Sequence, residues 1–198
     1  MRTLSLRLRR KPFPALALGL APALLGVAVM LAIGVDKPGN AETPRKTTPA
    51  SVAGTASVVD GDTLDIHGDR IRLVGVDAPE HNQKCLDASA KFTRCGAESA
   101  NALDQWINRN PVSCAIEGKD RYGRFLGKCS VRGADMQDWL VRNGHAIAYR
   151  QFSTAYVPAE LAAQRMKVGI WSGEFVPPAQ WRKGERLPGE KESKLASR

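Results

Sequence analysis

Arg72-Leu73-Val74-Gly75-Val76-Asp77-Ala78-Pro79-Glu80 passes from an alternating pattern through a glycine to a pair of acids. Just upstream, Ile71 and Leu73 alternate with Arg70 and Arg72, the period of a half-buried strand. Pro79 cannot donate to a ladder, so the strand ends around Asp77-Ala78-Pro79-Glu80. Working outward, Leu64 and Ile66 alternate with Asp65 and His67, and Gly68-Asp69 is a two-residue turn signal. Before these, Val58-Val59-Asp60-Gly61-Asp62-Thr63 reads as a strand, a glycine kink and a second strand. Residues 53–76 are therefore expected to form three short antiparallel strands. A turn at Gly68-Asp69 sets Asp65 opposite Arg72. Strict alternation then turns Arg72 away from Asp77, and a bulge at Gly75 would re-aim the chain.

Further along, residues 81–91 are polar and irregular, and Phe92 to Asn108 suits a helix with Cys95, Ala102, Leu103, Trp106 and Ile107 facing inward. A hairpin over 112–131 turns at Asp120-Arg121-Tyr122-Gly123. Asp135 to Arg142 and Pro158 to Lys167 read as two more helices, with Gly144 as a C-cap residue after the first of them. Beyond Trp171-Ser172-Gly173 the chain is rich in Pro and charge and reads as a frayed, polar tail over 174–198. The pattern is α+β, a small barrel of five short strands with helices packed outside.

The formal net charge of +9 is unevenly spread. Residues 1–50 hold 8 basic and 2 acidic side chains, and residues 51–198 hold 21 and 18. The body is thus only mildly basic, which permits a polyanionic partner without demanding one. Arg2, Arg7, Arg9, Arg10 and Lys11 precede 24 uncharged residues, Pro12 to Val35. A spanning helix needs roughly 20 apolar residues, and a cleaved signal about 7–15. Length points to an anchor in the cytoplasmic membrane. Pro14, Pro22 and the small residues of Gly39-Asn40-Ala41 point to a cleaved signal and a secreted or periplasmic body. Either way the basic flank stays inside and the body is extracytoplasmic. Residues 1–36 are the signal or anchor segment, 37–52 a Pro- and Thr-rich linker, and 53–173 the folded domain.

All four cysteines lie in the exported part, where disulfides persist, and four cysteines allow three connectivities. Antiparallel pairing about a centre between Arg121 and Tyr122 sets Cys114 opposite Cys129, and Cys85 with Cys95 would close a separate loop. A zinc site is the less favoured reading, since no Cys-x-x-Cys or nearby histidine pair accompanies them.

Asp62, Asp77 and Glu80 stand at element ends, where several oxygen ligands for a hard divalent cation can gather. Arg72 leads into Asp77, and Arg124 follows the hairpin turn. Guanidinium is a planar fork matched to two phosphate oxygens. Acids for a cation with arginines for a phosphate form a phosphodiester-cleaving set.

Val59-Asp60-Gly61-Asp62-Thr63, then Arg72 to Glu80, then Asp120-Arg121-Tyr122-Gly123-Arg124, resemble the thermonuclease (staphylococcal nuclease-like) family, in that order, and Gly169-Ile170-Trp171-Ser172 resembles its last-helix ending. The resemblance covers about residues 53–173. It implies a five-stranded OB-type barrel with three helices, and calcium-dependent hydrolysis of DNA and/or RNA; the domain is expected to be a monomer. By motif position Asp62 and Asp77 match carboxylate calcium ligands, and the main-chain carbonyl of Ala78 matches a third. Glu80 matches the acid that positions or deprotonates the attacking water, and Arg72 and Arg124 the phosphate-binding arginines. Tyr122 and Tyr149 would line the nucleotide site. The family usually has Thr where Ala78 stands.

Blander readings accompany these. Asp60-Gly61-Asp62 alone is more often a turn, Arg72 could merely pair with Asp65, and Arg124 could cap the hairpin. His67, His81 and His145 read as surface or loop residues, the tryptophans as packing or tail contacts, and Arg182, Lys183, Arg186 and Lys191 as a solvated tail. The rival function is a non-catalytic nucleic-acid-binding module of the same barrel.

Overall fold

A computed structural model describes residues 50–190. The expected signal or anchor segment 1–36, residues 37–49 of the expected linker and residues 191–198 of the expected tail lie outside the described residues. Among the described residues no helix is long and apolar enough to cross a membrane.

The first half is almost all strand: β1 (Ser51–Gly54), β2 (Ala56–Asp60), β3 (Thr63–Ile66), β4 (Asp69–Leu73), β5 (Val76–Asp77), β6 (Cys85–Leu86) and β7 (Phe92–Thr93). There follow α1 (Cys95–Ile107), the long hairpin β8 (Val112–Lys119) and β9 (Phe125–Val131), β10 (Ala134–Asp135), α2 (Met136–Arg142), β11 (Ile147–Ala148), α3 (Val157–Met166) and α4 (Pro178–Arg182). The architecture is α+β, as the patterning predicts, with, among the described residues, a seven-stranded main sheet rather than five strands and four α-helices rather than three. The sheet runs β1-β8-β9-β4-β3-β2, with β10 added on β9. The ends of this path, β1 and β2, are separated in the chain by Thr55 alone. Two small two-stranded pairs, β5 with β11 and β6 with β7, lie outside it.

Alternation explains the core. Leu64, Ile66, Ile71 and Leu73 are buried from the main sheet, Val76 from β5, Leu103 and Ile107 from α1, and Met136, Leu140 and Val141 from α2. Each such side chain contributes about 1.5–3 kcal/mol of transfer free energy. Gln137, buried on α2, accepts the Cys129 N–H at 3.1 Å and donates to the Gly127 carbonyl at 3.1 Å, which ties α2 to β9 with no polar atom of that amide left over.

Two register expectations meet different outcomes. In the β3–β4 hairpin, Ile66 faces Asp69, Asp65 faces Arg70 and Thr63 faces Arg72. The turn is His67-Gly68, both at positive φ (56° and 86°), so the pairing is offset from the one expected around Gly68-Asp69, and Asp65 is not opposite Arg72. A histidine accepted the left-handed conformation beside the glycine, and Asp65 Oδ1 takes the Gly68 N–H at 2.9 Å to support it. In the long hairpin Cys114 does face Cys129, and a disulfide joins them. A shift between Ile116 and Gly118 then moves the centre onto Tyr122. The second disulfide is Cys85–Cys95, which leaves no cysteine free among the described residues for zinc.

Closing a loop of 15 residues, the Cys114–Cys129 bridge restricts the unfolded chain most. Replacing both cysteines by serine should lower the unfolding free energy by about 3 kcal/mol in denaturant titrations. A loss below about 1 kcal/mol would mean that the hairpin holds its register without the bridge.

Candidate active site

The site grows from three glycine-dependent approaches. Gly61, in the turn between β2 and β3, lies so near α1 that a Cβ there would stand 2.3 Å from Ser99 Oγ and 2.7 Å from the Ala78 Cβ. Gly96 brings the start of α1 onto the loop after β5, where a Cβ would meet the Glu80 carbonyl at 1.8 Å. Gly75 takes a φ of 77° in the turn that re-aims the chain between β4 and β5. The re-aiming expected at Gly75 is therefore present, as a turn. β5 then pairs with β11, Asp77 opposite Ile147, and the Gly75 carbonyl accepts the Tyr149 N–H at 2.9 Å.

These approaches bury two carboxylates side by side. Asp62 is 2% exposed and Asp77 0%. Asp62 Oδ2 accepts the Ala78 N–H at 2.9 Å, and the Asp62 carbonyl accepts the Leu73 N–H at 2.9 Å. Arg72 bridges the pair: Nη1 donates to Asp62 Oδ1, and Nη2 donates to Asp77 Oδ1 at 3.0 Å. Burial pushes the Asp62 carboxyl up, to about 8, against the opposing pull of the Arg72 guanidinium. Arg72 is itself held above the usual guanidinium range: burial opposes this, and Asp62 and Asp77 outweigh it. The bland pairing of Arg72 with Asp65 is thus set aside.

Glu80 is half-buried at the rim. Its N–H donates to Gln83 Oε1 at 3.2 Å. Gln83 is fully buried, and its Nε2 donates to the Val176 carbonyl at 2.6 Å, linking the acid loop to the C-terminal segment.

Arg124 is not drawn onto the acids. Its Nε donates to Asp120 Oδ2 at 2.8 Å, with the side chain about one third exposed. Asp120 also accepts the N–H groups of Tyr122 and Arg124, and although burial opposes it, these bonds hold its carboxyl below the usual range. Parallel pairing of β4 with β9 sets Arg72 beside Leu126, which places Arg124, two residues earlier, on the same side of the sheet as Arg72. The Arg124–Asp120 pair is only partly buried, and ion pairs near the surface contribute about 0–1 kcal/mol, so little holds the guanidinium where it is. Tyr122 is exposed at the hairpin tip with its ring 5.6 Å from the Arg124 guanidinium, and Tyr149 packs edge-on against Phe152 at 4.8 Å.

The residue that sequence reasoning missed is Arg182. Its segment, read as a solvated tail, forms α4, and its guanidinium bonds both oxygens of Asp77 at 3.0 Å and Glu80 Oε1 at 2.7 Å. Pro177-Pro178 is the signal that could have found the helix, since proline favours the first helical turn. No spacing in the sequence connects residue 182 with residue 77.

All the candidate donors are hard oxygens, which suits a calcium-like cation: the carboxylates of Asp62 and Asp77, and the carbonyl of Ala78, which follows Asp77 in the chain. Among the described residues no three acid, histidine or cysteine side chains cluster tightly enough to hold an ion by themselves. A main-chain oxygen and the ligand's own atoms would have to complete the shell.

Removing the guanidinium that bridges the two buried acids leaves Asp62 Oδ1 without its ion-pair partner in the interior, while Asp77 keeps Arg182. Arg72→Ala should therefore destabilise the fold by about 3 kcal/mol at neutral pH in chemical denaturation, as loss of one partner of a buried pair does. A shift within about 0.5 kcal/mol, the range of an ordinary surface substitution, would show that the bridge is not needed for folding.

The staphylococcal nuclease homologue family model matches residues 70–173. The succinoglycan biosynthesis protein ExoI of Rhizobium meliloti (strain 1021) is 38% identical over 169 residues, 84% of this chain and 84% of that protein. An uncharacterized endonuclease of Escherichia coli O157:H7 is 34% identical over 133 residues, 63% of this chain and 80% of that protein. The probable staphylococcal-like nuclease CAN3 of Oryza sativa subsp. japonica is 29% identical over 120 residues, 59% of this chain and 29% of that protein. With a family model matching more than half of its length, the chain belongs to the staphylococcal nuclease homologue family.

Proposed function

We propose that this phosphodiester hydrolase is an exported, calcium-dependent nuclease acting on DNA and/or RNA, with Asp62, Asp77 and the Ala78 carbonyl as cation ligands. Family membership supports the hydrolase and its nucleic-acid substrate. The observation that carries the site is the convergence of two buried carboxylates on one bridging guanidinium, with a third acid at the rim. Two disulfides support export, because such bonds persist in oxidising compartments. The membrane role of residues 1–36 is part of the same proposal, resting on the uncharged run.

When bound, calcium would act as a Lewis acid on a phosphoryl oxygen. The chain's own groups do the rest. Arg72 uses Nη1 and Nη2 on the acids and retains N–H donors of its five for a phosphate oxygen. Arg124 turns from Asp120 to a second oxygen as negative charge builds there. Glu80 accepts the proton of the attacking water, which requires hydrogen-bond reach to it. Tyr122 and Tyr149 flank the nucleotide, offering ring faces for base stacking.

The full chain should degrade single-stranded DNA with calcium and stop when a chelator is added. Arg124→Ala should lower kcat by about 10²–10³, the usual effect of removing one oxyanion donor. Its melting temperature should change little, since only a partly buried pair near the surface is lost. DNA retained by the wild-type chain without cleavage would overturn the reading in favour of a binding module.

A further inference from the structure

Arg182 lies outside the segment that the family model matches, yet its guanidinium sits on the acids. Nη1 donates to Asp77 Oδ1 at 3.0 Å and to Glu80 Oε1 at 2.7 Å, and Nη2 donates to Asp77 Oδ2 at 3.0 Å. Arg72 donates to Asp77 Oδ1 as well. Both oxygens of Asp77 and one of Glu80 thus face guanidinium groups. A guanidinium and a hard divalent cation want the same things from a carboxylate, its lone pairs and its charge.

The arginine is delivered by a built strap. Leu86 and Glu174 exchange backbone hydrogen bonds at 2.8 and 3.2 Å, which adds the strap to the small β6–β7 pair that the Cys85–Cys95 disulfide closes. Gln83 holds the Val176 carbonyl from the buried side, and Pro177-Pro178 then start α4, which ends at Arg182. Beyond it the chain folds back on itself, with the Arg186 guanidinium 3.8 Å from the centre of the Trp181 ring. Arg182 itself remains about one third exposed, at the mouth of the site.

Resting on the reading that Asp62, Asp77 and Ala78 hold a divalent cation, we propose that Arg182 is an internal counter-cation that competes with that ion. Cation binding and docking of the end of the strap, residues 177–190, therefore oppose each other. The coupling is reciprocal: whatever factor the docked strap removes from cation affinity, the bound cation removes from docking.

Calcium chloride titrated into the full chain, read by calorimetry, tests this. Arg182→Gln should lower the calcium dissociation constant about ten-fold, within the usual range of coupling between sites. In the wild-type chain, amides of residues 178–190 should exchange faster in saturating calcium than in chelator. Equal or weaker calcium binding by Arg182→Gln, no calcium bound by either chain, or exchange unaffected by calcium would each overturn the proposal. Should the variant not fold, exchange in the wild-type chain decides alone. Failure of the nuclease reading looks different: calcium bound, exchange faster, and no strand cleaved, which would leave the competition standing.

Discussion

Two carboxylates buried side by side are costly in a low-dielectric interior, which pushes Asp62 up, and positive charge between them offsets part of that cost. Arg72 is that charge. It comes from β4, between the strand that follows Asp62 and the turn that precedes Asp77, so satisfying it draws β3, β4 and β5 to one place. Asp62 is additionally fastened by the Ala78 N–H and by its own carbonyl to Leu73. The same contacts that build the site thus close the fold around it, and the chemistry of the site and the integrity of the strands share one guanidinium.

Close backbone approach is the second condition. The acid loop can reach the bridge only because α1 lies almost in contact with it, through Gly61 against Ser99 and Gly96 against the Glu80 carbonyl. A side chain at either position would force these segments apart by more than rotamer changes can absorb. Gln83 then extends the arrangement outward, since its buried amide must be satisfied on both sides and finds Glu80 on one and Val176 on the other.

The three arginines differ in how firmly they are held, and the difference tracks their surroundings. Arg72 is enclosed and bonds both buried acids. Arg124 sits in a partly buried pair at the hairpin tip, inexpensive to redirect. Arg182 lies between these cases, on buried acid oxygens at one end and solvent at the other. Guanidinium remains charged throughout, so each can exchange one anionic partner for another without a proton being moved.

Much of this was legible along the chain. Period-two alternation marked β3 and β4, the turn residues marked both hairpins, and pairing arithmetic set Cys114 opposite Cys129, because these features depend on neighbours a few residues apart. The acids and Arg72 could be named because motif spacing preserves them as a group. The register of the β3–β4 turn was misjudged, since His67 adopts a left-handed conformation that local propensity assigns to glycine. Arg124 bonds Asp120 and not the acids, a choice made by whichever carboxylate lies nearest in the folded hairpin. That a C-terminal arginine should come to rest on Asp77, 105 positions away, was decided only by the strand pairing at Leu86 and the buried amide of Gln83. Long-range electrostatic partners are chosen by packing, and packing leaves no periodic trace in the order of residues.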